Sequence, residues 1–533
     1  MRKTPASESI KGPKKPNFLK RFFAHNPNYD VQNKELVTYC LGVAGQNHTY
    51  NLVGGWFEYF CNFVLFIKPI HTGLILGVMR GWDAINDPLA GAIIDGHTFK
   101  SGDKLKPYLK IFAIPVGVLA MFLFINFGFQ EYAAKIAYVA TIYFLWDSFY
   151  SFQDTAQWGL VARISRIPER RVKAAYWGRL GGTFGGLIPG LISPVVGLVL
   201  DGIIPISLTQ LFIFLGIFFG LGGMIISLAQ VKVVERAPNK PPDGKLLGGV
   251  KLLAKNKIVL LIALGNILNV CIFNLSQMYF FQTLVRLNIG GKIYNGATIL
   301  LPYGIISGIP GFVAMMFTPF LAKKLGGMQR VLITASAANI VGRILMFFVG
   351  YEGWRIVGMA LIQAFISIPS GMVSIATTAL WSESVDYTEW KTGKRNEGTV
   401  FSMQNFLAKI TGSISAVFSG LTLTLLKFDP QKFVDNPNAP LSAEFTKWAW
   451  PIHSLGPAIG SLMQIIPLLL LKFTPEERQL MQQELEEKRA EESRLELQRI
   501  SDGLGFNYKD YIDSNFSDNN EVENKDKEED DKL

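Results

Sequence analysis

Residues 70–95 read IHTGLILGVMRGWDAINDPLAGAIID, and this stretch decides the fold class. It is apolar over the length a bilayer demands, since a hydrocarbon core about 30 Å thick takes about 20 helical residues. Yet it carries WDAINDP, with Asp83, Asn86 and Asp87 at i, i+3 and i+4. On a helix those positions share one face. An ionisable group at mid-membrane costs about 2.5–3.5 kcal/mol on insertion scales. A lipid-spanning helix that keeps two such acids needs a partner for them, a watery cavity or a task.

Reading outward with the same window predicts about twelve spans. In the first half they lie near 36–67, 70–95, 108–128, 132–162, 171–200 and 206–229. In the second they lie near 258–286, 295–322, 329–349, 354–384, 398–426 and 450–472. The chain is therefore expected to be an all-α membrane protein of two six-helix bundles, 35–229 and 258–472. A polar, basic linker at 230–257 joins them, and tails at 1–34 and 473–533 flank them. Of the tails, 475–500 predicts an amphipathic, solvated helix and the acidic end beyond it predicts disorder.

Composition agrees with that reading. Of 533 residues 49% are hydrophobic and 18% charged, where a soluble chain carries about 25% charged residues. The net charge of +10 sits in loops between apolar blocks rather than on one basic face, which argues against nucleic-acid binding. Lys100, Lys104 and Lys106, then Arg163, Arg170, Arg171 and Lys173, then Lys323, Lys324 and Arg330, then Lys391, Lys394 and Arg395 all fall in even-numbered loops. The positive-inside rule then places both termini in the cytoplasm. The basic start of the chain lacks the form of a cleavable signal peptide. Cys40, Cys61 and Cys271 fall in apolar segments at unrelated spacings, so they read as buried hydrophobes rather than disulfides or metal ligands.

The charged positions carry the chemistry. Two carboxylates and an amide oxygen converge on the second span, and hard cations want such oxygen clusters. Two acids one turn apart also repel, which favours holding a proton. The site therefore suits Na⁺, H⁺ or both. The fourth span holds WDSFYSFQDTAQW, where Asp147, Ser151, Asp154 and Trp158 share a face and Tyr150 lies four residues before Asp154. Carboxylates to accept hydroxyl hydrogens beside a flat aromatic plane suit a sugar ring. Arg179 in the fifth span and Lys409 in the eleventh are the matching buried cations, able to pair with Asp154 or its neighbours. The glycine-rich GRLGGTFGGLIPGLISP (178–194) suits close helix packing or a hinge. The basic loops are expected to close an inner gate with Asp95, Glu383 and Asp386. No HExxH, nucleophile–base pair or phosphate loop points to an enzyme.

WDAINDPLAGAIID, the YSFQD…W face and VDYTEWKTGKRNEG together resemble the melibiose permease-like glycoside–pentoside–hexuronide:cation symporters, over about 36–472. The resemblance implies the major facilitator fold and cation-coupled import of a sugar or glycoside by alternating access. It also implies a monomer in the cell membrane, with no cofactor beyond the coupling Na⁺ or H⁺. By position, it makes Asp83, Asn86, Asp87 and Ser151 the cation site, with Asp83 and Asp87 as Na⁺ ligands if sodium couples. Tyr150, Asp154, Trp158 and Arg179 become the sugar contacts. Lys409 is the coupling lysine, and Gln404 stands beside it. Where the family pattern has Gly-Lys-Asp on the first span, this chain has Gly45-Gln46-Asn47, leaving Asn47 to meet a hydroxyl. Asp147 stands where the pattern has glycine, and is assigned with the solute contacts. A simple galactoside is thereby disfavoured. Two rival readings are a sodium-dependent carrier of a lysolipid-like amphiphile and a transporter-like sensor that signals through its tail.

Overall fold

In a computed structural model of the chain, residues 29–97, 99–100, 102–165, 167–236, 256–393, 397–436, 440–471 and 473–503 are described. Most of the linker, nearly all of the N-terminal tail and the acidic end lie outside these residues.

The first half contains α1 (Asn33–Phe63), α2 (Pro69–Gly96), α3 (Lys106–Phe122) and α4 (Tyr132–Arg163). It continues with α5, which runs Pro168–Gly190 and resumes as Ile192–Leu200, and α6 (Leu208–Lys232). The second half opens with α7, Lys257–Val270, interrupted and resumed as Gln277–Leu284. It continues with α8 (Gly296–Leu325), α9 (Met328–Val349), α10 (Arg355–Thr392), α11 (Glu397–Leu425) and α12 (Ala443–Leu469). A tail helix, α13 (Pro475–Gly503), follows. Among the described residues six long helical segments, one of them interrupted, lie on each side of the linker, with a short helix at Pro430–Asp435 before α12. Seven of the helices are long and apolar enough to cross a membrane by composition alone. α1, α2 and α4, which carry the charges and amides of the central site, are not among them.

Local chemistry sets the ends. Asn256 caps α7 by accepting from the amides of Ile258 (2.9 Å) and Val259 (3.2 Å), and Ser442 caps α12 through the amide of Phe445 (3.0 Å). Glu235, beyond α6, accepts from the amides of Leu105 (2.8 Å) and Lys106 (2.9 Å) and from Arg163 Nε (2.7 Å). A carboxylate there satisfies the orphan donors and positive end of α3. α8 and α10 end on Gly326 and Gly393 at φ +79° and +68°, the left-handed conformation that glycine adopts without penalty.

Three features depart from expectation. A two-stranded hairpin, β1 (Arg286–Ile289) with β2 (Lys292–Asn295), sits between α7 and α8, where the alternation was too short to separate from helix ends. The break in α7 was likewise hidden inside one apolar run. The tail helix α13 docks one face of its first turns while most of its other described side chains stay exposed. Met481 and Leu485 are buried in the core of the second half. Arg478 pairs with Glu383 at 2.6 Å and Trp390 donates to Glu484 at 2.5 Å. Glu383 therefore belongs to the tail contact rather than to a gate with the basic loops, because α13 brings a cation to it. The side chain of Asp95 lies outside the described residues.

The halves are bridged on the face opposite the termini. Asn62 donates to Tyr279 OH (2.5 Å), Gln282 to Tyr59 OH (2.6 Å), Ser193 to the carbonyl of Ala297 (3.0 Å), and the amide of Asn295 to Asp201 (3.1 Å). From there α2 and α11 run together towards mid-depth. Small residues let them do so: a Cβ on Gly73 would lie 2.7 Å from the carbonyl of Ala416, and one on Gly77 2.6 Å from Val417. Arg80 donates to the carbonyl of Gly412 at 2.6 Å further along the same seam.

Candidate functional site

The α2–α11 seam ends on Lys409. Its ammonium lies 2.9 Å from Asp83 Oδ2 and 3.4 Å from the carbonyl of Asp83, and bonds Asp87 Oδ2. Lys409 belongs to the second half and both acids to the first, so one cation neutralises the paired carboxylates and bridges the halves together. Pro88 follows Asp87 inside α2. Proline has no N–H, so the carbonyl four residues earlier, that of Ala84, lacks its helical donor. That adds an oxygen dipole to a helix already rich in oxygens.

α4 packs against α2 on the other side. Asn86 Nδ2 donates to Ser151 Oγ at 2.8 Å and to the carbonyls of Asp147 and Ser148 at 3.3 Å each. Ser151 Oγ in turn reaches Asp83 Oδ1 at 3.4 Å. Asp83, Asn86, Asp87 and Ser151 are thus brought together, with Lys409 against them. Among the described residues no three acidic, histidine or cysteine side chains converge as a metal cluster; with the ammonium docked, the carboxylates are spread around it.

One to two turns along α4 lies a second network. Gln46 of α1 donates to Tyr150 OH (2.7 Å) and Asp154 Oδ1 (2.8 Å), while its own carbonyl accepts from Gln157 (2.7 Å) and Asn47 (3.1 Å). Gln46 is 1% exposed. With Tyr39 and Tyr50 it faces α4, a side of α1 that its neighbour Asn47 does not share. Asn47 points one step round the helix, donating also to the carbonyl of Val43 (2.9 Å) and lying against Gly182 of α5. The glycine stripe explains this approach: a Cβ on Gly185 would fall 2.5 Å from the carbonyl of Ala44, so α5 packs backbone to backbone on α1.

Of the expected pairings of Arg179 or Lys409 with Asp154 or its neighbours, Lys409 meets Asp83 and Asp87, while Asp154 itself pairs with neither cation among the described residues. Asp154 takes its donor from Gln46, and Lys409 is claimed by α2, because the glycine seam draws α11 to α2 and not to α4. Arg179, which is exposed, instead lies over the Trp158 ring with its guanidinium carbon 5.0 Å from the centroid, an attraction of the cation–π kind. Gln404 is half-buried on α11 and joins neither network through a hydrogen bond among the described residues. Tyr150 is stacked between Tyr50 (5.5 Å) and Trp146 (5.1 Å).

Two further charges went unremarked in the sequence although both stood in apolar spans. Glu58 of α1 accepts from Ser419 of α11 at 3.4 Å, and Arg80 bonds the same helix one level deeper. Together with Lys409 they make a polar ladder from one half to the other.

Comparison with known proteins bears on this arrangement. The profile described as MFS/sugar transport protein matches residues 38–478. An uncharacterised symporter, YjmB, of Bacillus subtilis is 28% identical over 479 residues, covering 85% of this chain and 95% of that one. A putative 2,3-dihydroxypropane-1-sulfonate exporter of Salmonella typhimurium is 26% identical over 410 residues, covering 74% and 85%. The isoprimeverose transporter of Lactiplantibacillus pentosus is 25% identical, covering 86% and 93%. Among solved structures, a D-xylose–proton symporter superposes with TM-score 0.51 at 13% identity, over 83% of this chain and 98% of that one. A nucleoside transporter superposes with TM-score 0.53 at 12% identity, over 82% and 100%.

Proposed function

We propose, from the premise that this chain belongs to the MFS/sugar transport protein family, that it couples the movement of a sugar-like solute to that of a monovalent cation by alternating access. The family makes it a multi-pass membrane transporter, not an enzyme, and its sugar-carrying relatives favour a small polar solute over an amphiphile. The observation that carries the coupled reading is Lys409. A lysine of one half neutralises two acids of the other at the inner end of the seam.

A cation arriving at Asp83 and Asp87 competes with the ammonium, so its binding releases the bridge between halves. Asn86 and Ser151 supply neutral oxygens beside it. The solute meets Gln46, Asp154, Trp158 and Arg179 in the adjoining network, near mid-depth as in other secondary transporters. Binding at both places removes exposed charge and lets the opposite face open. The bridged state described above is one end of that cycle.

The test is uptake into vesicles of a panel of glycosides, hexuronides and sulfonated sugars, with Na⁺ and pH gradients imposed separately. Accumulation above the external level under one of the two gradients is expected. Uptake that merely equilibrates under both would refute the coupled reading. A second reading of the solute, one bearing an anionic group, is favoured by Arg179 lying over Trp158 and by the sulfonate named for two relatives; the same panel decides it.

A further inference from the structure

We infer that Asp147 is a direct ligand of the coupling cation, an alkali-metal ion held between α2 and α4, and not a contact of the solute. The inference rests on the coupled reading above.

Helical spacing alone puts Asp147 on the face of Asp154 and Trp158. Packing puts it beside the ion cluster. Its backbone carbonyl is held by both neutral members of that cluster, Asn86 and Ser151, each at 3.3 Å. The charged groups that act on its carboxylate are Asp83 and Asp87 from α2 and Lys409 from α11. The residue is 6% exposed, and its Oδ2 is fully enclosed without a hydrogen-bond partner.

Lys409 cannot serve it. The three N–H donors of the ammonium are directed to Asp83 Oδ2, the Asp83 carbonyl and Asp87 Oδ2. With all three carboxylates ionised, the one ammonium would leave two negative charges uncompensated in this cluster. A buried carboxylate without donor or counter-ion is strongly disfavoured, so a further positive charge belongs here.

The oxygen inventory selects its kind. A proton needs one oxygen, whereas a hard metal cation gathers several. Beside Asp147 stand Ser151 Oγ, Asp83 Oδ1, and the amide oxygen of Asn86, whose nitrogen does all the donating. While the ammonium is docked, no three acidic, histidine or cysteine side chains among the described residues close on one point. The oxygens converge when Lys409 withdraws and Asp83 turns to the ion, which makes cation binding and release of the bridge a single competition.

The experiment uses the purified full-length protein and follows its unfolding midpoint while NaCl replaces choline chloride at constant ionic strength. For the wild type a saturable, Na⁺-dependent rise is expected, because a ligand bound only by the native state stabilises it. Asp147→Asn should have a higher midpoint in choline, since a buried charge is gone, and should need at least tenfold more Na⁺ for the same rise. Asp147→Gly should show the same Na⁺ shift, and a merely structural aspartate would move the choline midpoint down. An unchanged Na⁺ curve in both variants overturns the inference. So does a wild type indifferent to Na⁺ whose vesicle uptake follows a proton gradient, an outcome that leaves coupled transport standing. Uptake driven by neither gradient removes the coupled reading itself, and this inference with it.

Discussion

The two halves bring unlike chemistry to the centre. The first half supplies Asp83, Asn86, Asp87, Ser151, Gln46 and Asp154, tied into two contiguous hydrogen-bonded networks. The second half supplies Lys409 and otherwise presents long apolar helices, five of the seven that pass the membrane criterion. A further cation there, Arg343 of α9, has Met346 Sδ (4.0 Å) as a hydrogen-bond partner and neighbours Tyr303 and His453, and among the described residues it touches neither network. On the proposed reading one half recognises and the other half closes, with one ammonium linking the two tasks. Such a division lets a bound cation alter the position of a whole bundle by competing for a single side chain.

That contrast can be broken most severely at the acids. Under a 100 mV potential one coupled charge supports about fortyfold accumulation; Asp83→Asn and Asp87→Asn should bring the ratio to near one in vesicle uptake, whereas equal-concentration exchange persists. Gln46→Ala comes next. It strips Asp154 of a charge-assisted hydrogen bond of about 1.5–3 kcal/mol, so solute affinity by equilibrium binding should fall about ten- to a hundredfold, with Na⁺ affinity little changed. A comparable loss in both affinities would mean the two networks are one site.

Lys409→Ala sharpens the link between the halves. The ion pair is partly exposed, which reduces its worth to about 1–3 kcal/mol. The variant should unfold at a lower temperature in calorimetry, and Asp83→Asn in the same chain should restore much of the loss. The smallest effect is expected in the second half away from the seam: Arg343→Met should keep initial uptake within about threefold of wild type, since a residue outside both networks changes transition-state binding little. A collapse of transport there would show that recognition is shared between the halves after all.

Much of this was visible in one dimension. The spans follow from runs of apolar residues, and the shared face of Asp83, Asn86 and Asp87 follows from the helical repeat, because both are properties of consecutive residues. The seam also left its mark, as Gly73, Gly77 and Gly420 are small where helices touch. Glu58 and Arg80 are legible in the same way, as charges in apolar spans.

Partner choice was not legible. That Asp154 takes Gln46 and not Arg179, that Asp147 lies against Asn86, and that Glu383 meets Arg478 of the tail all depend on which helices lie side by side. A repeat of 3.6 residues says which side chains share a face and nothing about what that face meets. The sequence by itself determined a membrane-spanning helical chain with charges too costly to be idle. Tertiary packing decided their pairing, since a buried charge is answered by the donor that neighbouring backbones bring within about 3 Å, and that donor lies far away along the chain, 108 residues for Gln46 and Asp154 and 322 for Lys409 and Asp87.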